Sequence, residues 1–129
     1  MGRVPEPRRS PKAPEGREWS WHGTDEKTKT DALIDHGGWN AMVEAHAWYD
    51  PDAETEHDPP QEKHAYKLPH HELIDDRVLV VLNGVRSEMG VLLGARGGVD
   101  IPGGDRKDVY RHLQVHYEEF DKDVPDYSE

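Results

Sequence analysis

"KHAYKLPHHELIDDRVLVVL", residues 63–82, is the stretch on which the fold turns. "KHAYKL" alternates with the two-residue period of a half-buried strand, and "RVLVVL" is a β-branched apolar run of strand length. Between them "PHHELIDD" supplies the turn, with Asp75 and Asp76 at its tip, so the two runs are expected to pair as one antiparallel hairpin. The same region carries His64, His70 and His71 beside Tyr66 and several acids, the residue types of a metal or proton-transfer site. In an extended chain His70 and His71 point to opposite faces, and no spacing ties either of them to His64 or His57. Glu72, Asp75 and Asp76 read as solvated turn residues. A carboxylate pair doing acid–base work needs a pocket and unequal environments, neither of which is legible here. The stretch is therefore expected to shape a surface.

Downstream, Asn83 is placed to cap a helix, "NGVRSEMGVLLGAR", whose Val85, Met89, Leu92 and Leu93 share a face. "GARGG" follows a helix rather than a strand, so it reads as a helix C-cap and not as a dinucleotide fingerprint. "PGGD" leads into a helix N-terminus, where Asp100, Asp105 and Asp108 would repel an anion. The last helix, "DRKDVYRHLQVHYEEF", opens on an Asp105-x-x-Asp108 capping arrangement and sets Val109, Leu113, His116 and Phe120 along one stripe, with Tyr110 and Tyr117 beside it. His112 and His116 are four apart, a spacing that lets two imidazoles share a metal. The pair lacks the glutamate of the HExxH motif, and His116 lies on the apolar stripe, so packing is the preferred reading and no metal, cofactor or catalytic residue is assigned.

Upstream, Thr24 reads as an N-cap with Asp25 and Glu26 in the first turn. Gly37 and Gly38 interrupt that helix, and Trp39, Met42, Val43 and Ala47 follow at helical spacing. "DPDAETEHDPPQE" is an acidic, proline-rich loop, near 50–62. The opening, "MGRVPEPRRSPKAPEGREW", holds four prolines and almost no large apolar side chain before Trp19, so alone it is expected to be flexible or polyproline-like. Trp19 and Trp21 can anchor it to its own domain.

Composition narrows the function. Of 129 residues, 33% are apolar and 33% charged, which makes a thin core, and the 12 glycines and 10 prolines favour loops and arms. Without cysteine there is neither a disulfide nor a thiolate metal site. No apolar run approaches the roughly 20 residues that cross a bilayer, and the N-terminus lacks a signal-peptide core, so a soluble protein with no membrane partner is expected. Residues 1–18 carry five basic and three acidic residues, whereas 19–129 carry 11 basic and 24 acidic, a balance of -13. So acidic a body repels phosphate backbones and argues against nucleic-acid binding by the folded part.

The segment "AYKLPHHE…LNGVRSEMGVLLGARGGVDIPGGDRKDVYRHLQVHYEEFDKDVPD" resembles a module of tailed-phage and prophage head-morphogenesis proteins. In that group a "YKLP" strand, a variable turn, a "GV" helix, a "GARGGVDIP" connector and a helix ending in "HL..HY..F" follow in order. Upstream, "WYDPD" is similar to the element preceding the strand. The likeness covers roughly residues 39 to 126, and the connector is its most specific part. The module is sometimes joined to capsid-maturation proteases and carries no catalytic motif itself. The resemblance implies a stand-alone virion or head-assembly protein, found in the capsid and, during assembly, in the host cytoplasm.

The expectation is thus an α+β chain. Residues 1–22 form a proline-rich basic arm, 23–126 a compact domain in which a small antiparallel hairpin packs on two C-terminal helices, with short N-terminal helices and the extended arm completing the core, and 127–129 a tail. The expected function is non-enzymatic: a decoration or minor capsid protein bound to the major capsid protein and to copies of itself. The alternative is a transient head-assembly factor, scaffold-like or accessory to a maturation protease. Partner contacts are assigned to Arg8, Arg9, Lys12, Trp19 and Trp21.

Overall fold

The computed structural model describes residues 2–5, 11–94 and 98–127. Helix α1 (Thr24–Gly37) places Asp25 and Glu26 against its positive end and stops where Gly38 adopts φ 67, a backbone that favours glycine. Thr24 is the first helical residue, and no side chain caps the helix. Helix α2 (Trp39–Ala45) is shorter than its apolar spacing suggests, because the chain becomes extended at His46 and enters strand β1 (His46–Tyr49). A short apolar run satisfies both periods, and the pairing available to aromatic Trp48 and Tyr49 decides for strand.

The expected hairpin is replaced by two. Strand β2 (Tyr66–Pro69) pairs with β1, His46 opposite Pro69 and Tyr49 opposite Tyr66. Strand β3 (His71–Ile74) pairs with β4 (Arg77–Val80) across the tip Asp75-Asp76, where both residues take positive φ, 51 and 60. Tight hairpins demand such a backbone, and aspartate tolerates it. The tip is where the sequence placed it, but "HELI" is strand rather than turn, and "YKLP" belongs to a different sheet. The α+β class stands.

Helix α3 (Leu82–Leu92) and helix α4 (Gly103–Glu119) share one core, in which Val85, Met89, Val109 and Leu113 are completely buried. Asn83 lies inside α3 and donates to Arg17 O rather than capping the helix. Asp105 likewise does not cap α4; its buried carboxylate accepts from Trp48 Nε1 at 2.9 Å and from Gly2 N at 3.0 Å. A second core, containing Leu33, Met42 and Tyr66, lies around α1 and α2. No helix among the described residues is long and apolar enough to cross a membrane.

The described part of the N-terminal arm is ordered on its own domain. Arg3 exchanges both backbone hydrogen bonds with Tyr49 on β1, and residues 11–13 run beside Val80 on β4. Each two-stranded sheet thus has an edge satisfied by the chain's own N-terminus.

Candidate functional site

The corner between β2 and β3 gathers histidines that are distant in the sequence. Leu68 has φ 65, and His70 joins β2 of one sheet to β3 of the other. The His70 N–H donates to Ala45 O at 2.8 Å, while the Val81 N–H donates to His70 O at 3.0 Å. His71 begins β3, and α4 presents His112 and His116 from one face. All four rings are at most 3% exposed. Ring centroids lie 4.5 Å apart for His70 and His71, 4.8 Å for His70 and His116, and 5.1 Å for His70 and His112. One nitrogen from each of His70, His71 and His116 falls within 4.8 Å of the others.

Hydrogen-bond partners fix where three of the protons sit. His112 Nδ1 lies 2.6 Å from Pro5 O, His70 Nδ1 lies 3.1 Å from Leu68 O, and His116 Nδ1 lies 2.6 Å from a Glu119 carboxylate oxygen. Each of those oxygens only accepts, so each Nδ1 carries hydrogen and each Nε2 carries a lone pair in the neutral ring. His70 Nε2 and His112 Nε2 nevertheless face each other at 3.2 Å. His116 Nε2 is buried with no hydrogen-bond partner among the described residues.

Protonation is opposed at every ring. Burial pulls the pKa of His112 down to about 4, helped by the neighbouring His116, and burial alone does the same for His116. His70 and His71 are pushed well below the ordinary histidine value, by burial first and the adjacent imidazoles second. The rings are neutral near pH 7, which is the form that ligates metal. His71, His112 and His116 also border a partly open cavity of about 730 Å³ lined by Pro5, by His36 and Gly37 of α1, and by Asn40 and Glu44 of α2.

Two sequence readings of this stretch change. His70 and His71 do not diverge to opposite faces: His70 lies between β2 and β3, which belong to different sheets, and the two ring centroids are 4.5 Å apart. Glu72 is 3% exposed rather than solvated; Arg17 pairs with it at 2.9 Å and Lys29 at 3.5 Å. Among the assigned partner contacts, Arg8 and Arg9 lie outside the described residues. Lys12 Nζ donates to Glu119 O at 2.8 Å. Trp19 and Trp21 stack at 4.8 Å with Lys29 over both rings, and Trp19 lies flat on α3 at Gly84, where a Cβ would meet its ring at 2.9 Å. What the sequence reading missed is the joining of "HH" to "HLQVH"; the only signal was that two short histidine motifs occur in one small chain. No family model, no curated protein and no solved structure matches the chain.

Proposed function

We propose that this chain is a capsid-associated structural protein of a tailed phage, a decoration or minor capsid protein that stabilises the head through contacts with the major capsid protein. The observation that carries the reading is the ordered series "YKLP", "GARGGVDIP" and "HLQVHY" over roughly residues 39 to 126, which resembles head-morphogenesis modules. Physical features support it. The body is strongly acidic, which suits protein rather than nucleic-acid partners. The arm already uses β-addition on its own sheets, a mode that the same backbone can extend to a neighbour on a lattice. Repetition over a symmetric shell makes weak single contacts collectively strong.

The test is quantitative mass spectrometry of purified mature virions, with the major capsid protein as internal standard. A copy number in simple ratio to that protein is the expected result. Presence in proheads and absence from mature particles would replace this reading with the transient assembly factor.

A further inference from the structure

We propose that His70, His71, His112 and His116 form a closed four-imidazole site for one divalent transition-metal ion, zinc foremost, which staples the β2–β3 corner to α4. This inference is independent of the capsid reading and stands on the geometry of the centre alone.

The first argument is the conflict between lone pairs. With Nδ1 of His70 and His112 each committed to a carbonyl, two Nε2 acceptors are aimed at each other across 3.2 Å between side chains at most 3% exposed. Turning either tautomer over would set a lone pair against Leu68 O or Pro5 O instead, so the conflict moves but does not vanish. A cation between the nitrogens resolves it. In a tetrahedral site with zinc–nitrogen bonds of about 2.0–2.1 Å, adjacent ligand nitrogens lie about 3.3–3.4 Å apart, close to the 3.2 Å between His70 and His112, while the nitrogens of His70, His71 and His116, within 4.8 Å of one another, draw in by ring rotation when the ion binds.

The second argument is His116. Its Nε2 is buried without a partner among the described residues, and an orphaned buried acceptor is costly unless something occupies it. Its Nδ1–H is held by Glu119, whose side chain is only 8% exposed. That carboxylate–histidine arrangement is the outer-shell support that orients metal-ligating imidazoles and raises their basicity. It also supplies one negative charge toward balancing a buried dication.

The third argument is donor chemistry. Four neutral imidazoles, in a chain without cysteine and with no carboxylate among the described residues grouped with them, suit zinc, copper, nickel or cobalt rather than calcium or magnesium. Four protein ligands fill a tetrahedral shell and leave no open position, which marks a structural rather than a catalytic site. The outer shell reaches the arm as well, since Pro5 O accepts from His112 and Lys12 donates to the backbone of Glu119. Metal binding therefore tightens three segments at once: corner, last helix and arm.

The experiment uses the full chain without a polyhistidine tag. Metal is stripped, zinc is titrated back against a chromophoric chelator, and cobalt is used as a spectroscopic probe. One zinc per chain and an intense visible cobalt band typical of tetrahedral coordination are expected. His116→Gln and His112→Asn should each weaken zinc binding by more than the roughly 10–100-fold expected of the outer-shell change Glu119→Gln. His57→Gln and His64→Gln, at exposed positions, should leave it unchanged. Should an inner variant fail to fold, the titration of the natural chain still decides. The proposal is overturned if the natural chain takes up no stoichiometric zinc, cobalt, nickel or copper. It is equally overturned if binding survives His112→Asn and His116→Gln but is lost with the exposed histidines.

Discussion

His46 and His70 are buried to nearly the same extent, 3% and 0% exposed, yet their surroundings differ in kind. His46 sits in the aromatic half of the molecule. Its Nδ1 donates to Met42 O at 2.8 Å, its ring meets the edge of Trp21, and Tyr66 lies 5.5 Å away. It behaves as a core aromatic that needs one hydrogen bond. His70 sits nitrogen to nitrogen with His112 and close to two further imidazoles, an arrangement that hydrophobic packing alone does not favour because it sets acceptor against acceptor. One residue type, equally buried, serves packing in one half and a polar centre in the other. Burial alone does not separate the two roles; the identity of the neighbours does.

The strongest way to break this comparison is to remove metal. If the histidine centre is a staple, adding a strong chelator to the zinc-loaded chain should lower its Tm. Linkage at about 1,000 times Kd is worth about 4 kcal/mol. At roughly 3 °C per kcal/mol for a chain of this size, the drop is about 12 °C, readable by differential scanning fluorimetry. No shift would place all five buried histidines in one class.

Acid probes the other half. Burial holds the pKa of His46 at about 4, against an ordinary value of 6.5. Above pH 6.5 the ring is neutral in both folded and unfolded chains, and its contribution is fully present. As pH falls from 6.5 toward 4, the unfolded chain binds a proton that the folded chain refuses, so stability is lost; below about 4 the loss stops. The shift corresponds to about 3 kcal/mol at 1.36 kcal/mol per pKa unit. His46→Phe should therefore reduce the difference between urea unfolding free energies at pH 7.5 and 4.5 by about that amount. An unchanged difference would show that His46 does not carry it.

A smaller effect sharpens the boundary of the centre. Arg17→Ala leaves the buried Glu72 with Lys29 as its remaining cationic partner, and should cost about 1–2 kcal/mol in chemical unfolding with no effect on metal affinity. A fall in zinc affinity would extend the centre along β3. The smallest effect belongs to the exposed histidines. His64→Gln removes an imidazole 72% exposed and should change neither the Tm nor its response to chelator.

Local signals were legible where the chain's own chemistry is sufficient. The faces of α3 and α4 follow from Val85, Met89, Val109 and Leu113, the helix break follows from Gly37 and Gly38, and the hairpin tip from Asp75-Asp76. "HAWY" and "HELI" were misread because a four-residue strand has no period of its own and is decided by its partner. Where the N-terminal arm docks was not legible for a related reason: its proline-rich composition cannot form a core of its own, but it can satisfy the edges of strands already present.

By itself, then, the sequence determined the α+β class, the two C-terminal amphipathic helices, the acidic character of the body and the absence of thiol chemistry, because these depend on composition and short-range periodicity. Only the tertiary structure decided that β2 leaves "RVLV" for β1, that the arm joins β1 and β4, and that His70 and His71 meet His112 and His116. Those outcomes depend on contacts between separate elements, from Tyr49 with Tyr66 to Lys12 with Val80, and no local spacing encodes which distant lone pairs will face each other once the chain has folded.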